Sequence, residues 1–347
     1  MNNKLSSHVA ASAELLGVIL GGTDSLLKLK LQNSFKFEKI NLLESKFKDK
    51  LIMPNGSVNL LYSFNQLPPI TKEKINFICI TKKATVPCPI NAFSIDQIIG
   101  RGNREIFNHA MEVYKEEQEN YISKLLTILR LYKDGNIEIP STFYWFEGRY
   151  AINQLKFSID CIHSDCQTVF DNYYTIEESE CEELNCIIKD NMFPIKLLEI
   201  PINKFEIGCK ELRDEIAFKE LITTNEVLFI GHNSKDKCEN GKKEKLSNRM
   251  SVWIATNDQE LQLIHDEIMS FYKYRSSDTH EANSLNITPE NTKKLREYTR
   301  RALKKYFKRT IDEQSMNINI TFNEIKYKIV SEIISVVSHY KLTGLLY

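Results

Sequence analysis

From about residue 202 to the C-terminus the chain reads as helix after helix, and this limits what it can fold into. Apolar residues that recur at helical spacing form a stripe that another stripe has to cover, so successive amphipathic helices imply a bundle. Residues 203–230 read as one helix, with Phe205, Cys209, Leu212, Ile216, Leu221, Val227 and Leu228 as its buried candidates. The polar, lysine-rich stretch 231–243 reads as a loop, and 246–255 as a short helix. Asp258 opens a helix to Tyr274 with Leu261, Ile264, Ile268, Phe271 and Tyr272 as its stripe. Thr288-Pro289-Glu290 offers a capping hydroxyl, a proline at the first helical position and an acid in the first turn. The helix it starts carries Leu295, Tyr298, Ala302 and Tyr306 on one face and reaches about Thr310. A last amphipathic helix covers roughly residues 322–342.

The preceding part has another texture. Residues 1–100 are β-rich: residues 74–82 alternate and abound in β-formers, Gly21-Gly22 and Asn55-Gly56 signal turns, and Leu67-Pro68-Pro69 and Pro87-Cys88-Pro89 interrupt strands. Residues 103–132 switch to helical spacing through Ile106, Met111, Val113, Tyr114, Tyr121, Leu125, Ile128, Leu129 and Leu131. That helix should end near Lys133-Asp134-Gly135, where glycine can adopt a positive φ. Strand-like text returns at 140–170. The expected class is α+β: a β-rich N-terminal region with a long helix (1–199), a helical domain (200–315) and a C-terminal amphipathic helix (316–347). Lys+Arg and Asp+Glu both count 46, so net charge selects no partner and any attraction for nucleic acid has to come from local clustering. The eight scattered cysteines are read as reduced thiols of a cytoplasmic protein. The apolar run at 15–20 follows Glu14 and lacks a basic leader, so a signal peptide is not expected, nor is a membrane-spanning segment.

Chemistry concentrates at Arg275 and His280. A histidine moves protons near neutral pH, and an arginine holds a phosphate oxygen through paired donors. Together they suit cleavage of RNA with the ribose 2′-OH as internal nucleophile, and no cofactor or metal is required. Composition alone yields about 0.2 Arg-x4-His pairs in such a chain, and a second pair, Arg104 and His109, does occur. The pattern does not choose between them; a family resemblance does, because it covers Arg275/His280 and not Arg104/His109, which is read as a solvated helix face. The helix after Thr288 is rich in cations, among them Lys293, Lys294, Arg296, Arg300 and Arg301, which read either as a phosphate-tracking surface beside the motif or as a solvated lysine-rich face. Cys161-x-His163-x-x-Cys166 and Cys181-x4-Cys186 are looser than zinc-binding pairs and are read as incidental.

The text Phe271-Tyr272-Lys273-Tyr274-Arg275-Ser276, followed by His280, resembles the HEPN superfamily and, within it, the ApeA-type defence proteins, whose motif reads like lYdlRSkivHG. Ile202 to Phe205 resembles the start of that family's first helix, Thr224 to Leu228 its second, and Lys245 to Arg249 a third, in the same order; Ile128 to Gly135 resembles text found ahead of such domains. The resemblance implies a helical HEPN bundle and a metal-independent endoribonuclease with Arg275, Ser276 and His280 in the catalytic set. It implies that two motifs face each other across a homodimer cleft. Glu226 and Arg249 read either as supporting residues that tune the site from neighbouring helices or as a buried structural ion pair. The resemblance also implies a role in antiviral defence or as a toxin, with residues 1–199 sensing a phage-derived trigger or restraining the nuclease, or an antitoxin doing so. Glu281 stands where the family has glycine, and Ser277-Asp278-Thr279 are polar where it often has apolar residues. These departures keep a second reading open, that of a non-catalytic HEPN module sensing a nucleotide or a phage component.

Overall fold

Residues 15–18 of the apolar run lie on an inner strand of a sheet. Leu15, Leu16 and Val18 are at most 1% exposed, and they belong to strand β1 (His8–Val18). The computed structural model describes residues 8–41, 76–89, 101–139, 142–147, 172–189, 196–211, 213–230, 241–281 and 286–346. The expected signals at Asn55-Gly56, Leu67-Pro68-Pro69 and Cys161/His163/Cys166, the strand-like text at 140–141 and 148–170, and residues 231–240 of the expected loop lie outside these residues. The described chain falls into two compact units, Met1–Asn191 and Met192–Tyr347. An antiparallel sheet lies in the first and the second is helical, so the class is α+β.

In the first unit β1 pairs with β3 (Asn76–Pro89) and β4 (Thr142–Glu147), and β2 (Phe35–Asn41) flanks β3, giving the order β2-β3-β1-β4. The alternating text at 74–82 forms β3 as expected, but β3 runs on through Pro87-Cys88-Pro89, which was expected to interrupt it. The register explains this. β2 pairs with β3 only from Asn76 to Lys82, so beyond Lys82 one side of β3 has no neighbour among the described residues. Pro87 and Pro89 share one parity, so both missing N–H groups can fall on that side without costing a ladder bond.

Helix α1 (Arg101–Tyr132) follows the expected span. Met111, Leu125, Leu129 and Leu131 are buried, whereas Val113, read as a core position, is 42% exposed. Tyr121 stacks on Phe35 with ring centroids 4.2 Å apart, and Lys82 donates to Gln118 Oε1 at 2.6 Å. The helix ends where expected. Gly135 has φ +139°, and a Cβ there would stand 2.7 Å from the Tyr174 Cα, so both conformation and space require glycine. Helix α2 (Glu178–Lys189) completes this unit and carries Cys181, buried, and Cys186, exposed. Their spacing turns them about 140° apart around the helix, away from a shared ligand face.

The second unit begins with a correction. Residues 203–230 form two helices, α3 (Glu199–Lys210) and α4 (Asp214–Phe229), separated by extended backbone at Glu211 and Arg213. Phe205 and Ile202 on α3 and Phe218 and Leu221 on α4 are all at most 2% exposed, and folding back lets the two stripes cover each other. Gly208 permits the approach, since a Cβ there would come within 2.8 Å of Leu221. Helix α5 (Gly241–Ile254) starts earlier than expected and takes in Lys242 and Lys243. Helix α6 (Asp258–Glu281) buries Leu261, Ile264, Ile268 and Phe271, as its stripe indicated.

Helix α7 (Pro289–Met316) starts as read, with the Asn291 N–H donating to the Thr288 hydroxyl at 3.2 Å. It continues past Thr310, where Glu313 pairs with Arg309 at 3.1 Å and with Lys328. Helix α8 (Phe322–Leu342) is opened by a capping box in which Thr321 and Glu324 satisfy each other's backbone N–H. Ile325, Ile329, Ile333 and Val337, one per turn, are at most 3% exposed and seat α8 on the bundle. Deeper in, the Asn225 amide donates to the Leu221 carbonyl at 2.9 Å and to the Thr299 hydroxyl at 2.8 Å, tying α4 to α7.

Candidate functional site

Three side chains meet between α4 and α6 in the second unit. The Phe271 ring edge packs on Phe218 at 5.6 Å, which fixes the rotation of α6 against α4. One residue on, the Tyr272 hydroxyl donates to Glu226 Oε1 at 3.0 Å, and one turn on, Arg275 Nη1 donates to the same oxygen at 3.1 Å. The Arg275 guanidinium carbon stands 5.7 Å from the Tyr272 ring centre. The side chains of Arg275 and Glu226 are 28% and 18% exposed, so the pair is neither sealed in the core nor loose on the surface. Burial, and after it the Glu226 carboxylate, raises the Tyr272 pKa and keeps the hydroxyl protonated as a donor. The expected supporting role of Glu226 therefore has a contact behind it. Tyr272, read only as part of the apolar stripe, is the member the sequence reading missed; its spacing of three from Arg275 puts both on one helix face.

The helix end expected at Tyr274 is absent, because α6 continues without a break to Glu281. No glycine or proline lies between 275 and 281 to stop it. On a regular helix, positions five apart are rotated by about 140° and separated by about 7.5 Å along the axis. One chain therefore does not present positions 275 and 280 on one helix face. Ser276 is exposed. Arg104 and His109 both lie on α1 in the other unit, with His109 exposed.

Arg249, the other supporting candidate, is 1% exposed on α5 and donates from Nη1 to the Phe229 carbonyl at 2.8 Å. It is one of three side chains gathered on the C-terminal turn of α4. The Tyr306 hydroxyl of α7 donates to the Leu228 carbonyl at 2.6 Å. Lys326 of α8 donates to the Val227 carbonyl and, at 2.8 Å, to the Ile230 carbonyl. Helix ends leave their last carbonyls without intrahelical partners, and the negative end of the dipole attracts cations. Here four successive carbonyls are taken by groups from three other helices.

The same use of cations to hold neighbouring helices recurs on α7, the helix read as a phosphate-tracking surface. Arg300 is 3% exposed, pairs with Glu297 and lies over the Phe205 ring at 5.8 Å. Arg301 binds Glu260 at 2.8 Å and the Ile254 carbonyl at 2.7 Å. Arg296 donates to the Gly208 carbonyl at 3.2 Å, and Lys294 pairs with Glu267 at 3.0 Å. Of the five residues singled out, Lys293 and Lys294 are exposed, and Lys294, Arg296, Arg300 and Arg301 each touch a neighbouring helix. Their partners sit on α3, α5 and α6 or one turn away, so composition along α7 alone does not reveal them.

Among the described residues no helix is long and apolar enough to cross a membrane. Comparison of the chain with protein-family models, curated protein sequences and solved structures finds no match.

Proposed function

We propose that the second unit is a HEPN-type domain that cleaves RNA without a metal ion, in antiviral defence or as a toxin. The observation that carries this reading is the Glu226–Tyr272–Arg275 cluster. It orients a charged, partly exposed guanidinium five residues before the histidine of an Arg-x4-His motif. Arg275 would bind a non-bridging phosphate oxygen in exchange for, or alongside, Glu226. His280 would take the proton from the ribose 2′-OH as that oxygen attacks phosphorus, or protonate the 5′-oxygen as its bond to phosphorus breaks. The products are a 2′,3′-cyclic phosphate and a 5′-hydroxyl. Ser276, beside Arg275, would supply a hydroxyl to the same phosphate.

The rotation between positions 275 and 280 favours a site assembled from two copies, with Arg275 of one chain and His280 of the other facing one phosphodiester. A homodimer through the helical unit is therefore part of the proposal. The first unit would sense the trigger or restrain the nuclease, and the protein would work in the cytoplasm. The test is cleavage of single-stranded RNA by the full chain with EDTA present, with and without His280→Ala.

A second reading is a non-catalytic module that binds a nucleotide or a phage component. Two observations favour it: Glu226 already balances the Arg275 charge, and Glu281 follows His280. Binding of RNA by wild type without cleavage would select it.

A further inference from the structure

We infer that Lys326 is a positioning residue for Arg275, acting from α8 through the last turn of α4. Lys326 directly follows Ile325 in the first turns of α8, and Ile325 and Ile329, which flank it, are fully buried. Their docking aims its ammonium at the carbonyls of Val227 and Ile230. Glu226 directly precedes this carbonyl set, and its own carbonyl accepts the Ile230 N–H at 2.8 Å. The residue that orients Arg275 thus sits in the same helical turn that Lys326 clamps. A frayed final turn would let Glu226 swing and take Arg275 and Tyr272 with it.

The placement is costly, which argues against an incidental contact. Arg249 already brings a positive charge to the Phe229 carbonyl, and Tyr306 serves Leu228. Adding a second cation at this half-buried end opposes both desolvation and like-charge repulsion. Burial, and after it the Arg249 charge, pulls the Lys326 pKa down to about 8. A neutral hydrogen-bond donor would serve one carbonyl more cheaply. A lysine spans two of them, Val227 and Ile230, and so locks the turn that carries Glu226.

The consequence for RNA rests on the proposed nuclease reading, whereas the mechanical coupling does not. The coupling is measured on the full chain by a double-mutant cycle of thermal unfolding with Lys326→Met and Glu226→Gln. Glu226→Gln is expected to lower Tm in the wild-type background and to lower it by less than half as much beside Lys326→Met. Lys326→Arg, which keeps the charge and the reach to two carbonyls, is expected to restore the full loss. If Lys326→Met does not fold, Lys326→Gln takes its place in the cycle. An equal Tm loss from Glu226→Gln in both backgrounds overturns the inference. RNA cleavage is read separately: Lys326→Met is expected to lower kcat at least tenfold with KM within twofold, and Lys326→Arg to recover it. An unchanged kcat in Lys326→Met beside an active wild type overturns the catalytic consequence. Absence of cleavage by wild type overturns the nuclease reading, while the thermal cycle still decides the coupling.

Discussion

Glu226→Gln is the perturbation whose cost the structure defines best. The substitution keeps side-chain volume and a carbonyl acceptor for the Tyr272 hydroxyl, but removes the charge that faces Arg275 at 3.1 Å. Two unit charges about 4 Å apart interact by about 4 kcal/mol at an effective dielectric near 20, before desolvation is subtracted. Fully exposed pairs retain roughly 0.2–1 kcal/mol. With side-chain exposures of 28% and 18%, this pair lies between those regimes. A net cost of about 1 kcal/mol follows once desolvation and screening are taken off. For a domain of this size that corresponds to a fall in Tm of about 2–4 °C. Thermal unfolding followed by circular dichroism, at low and at high salt, is the assay; the loss should shrink as salt rises. Arg275→Gln should cost a similar amount, and the double variant should cost less than the sum of the two. A Tm for Glu226→Gln at or above wild type, or strictly additive losses, would refute the pairing and the orientation of Arg275 built on it.

Three further outcomes follow from the bundle. Ile329→Ala removes a fully buried side chain from the seat of α8 and should destabilise the helical unit by about 2–5 kcal/mol in urea unfolding. Thr321→Ala deletes the capping box of α8 and should cost about 1 kcal/mol in the same assay. Acid should weaken the contact between α6 and α7. The hydrogen bonds from Arg301, and then from Thr256, hold the Glu260 pKa at about 2 against an ordinary 4.5. Its stabilising effect is therefore fully present above about pH 4.5 and is lost as pH falls toward 2. Glu260→Gln should flatten the stability profile across that window and leave it unchanged in shape above it.

Local signals were legible where one residue or one short pattern decides the geometry. Thr288-Pro289 marks the start of α7, Gly135 the end of α1, and the stripe from Leu261 to Phe271 the buried face of α6. What stayed hidden depends on partners distant in sequence. The break between α3 and α4 has no proline to announce it and lets the buried stripes of the two helices cover each other, with Gly208 against Leu221. The last turns of α6 carry Ser277-Asp278-Thr279, which show no periodicity, so the helix is invisible there although nothing stops it. The basic residues of α7 look like a surface when counted along one helix, but Arg300 is buried and Arg301 reaches the Ile254 carbonyl. Of the site, Arg275 and the pairing capacity of Glu226 were legible; Tyr272 was hidden by its aromatic ring, and Lys326 by a separation of about a hundred residues from the turn it clamps.

The central claim is that Arg275 and His280 form the catalytic pair of a metal-independent ribonuclease. One measurement addresses it directly: cleavage of a labelled single-stranded RNA by the purified full chain in EDTA, with products resolved by their ends, for wild type, Arg275→Ala and His280→Ala, each checked for an unchanged fold. The account expects wild type to release fragments ending in a 2′,3′-cyclic phosphate, and each variant to lose at least a hundredfold in rate while keeping its helical content. Wild-type rates from folded His280→Ala, or cleavage by wild type that stops in EDTA and returns with a divalent ion, would contradict it.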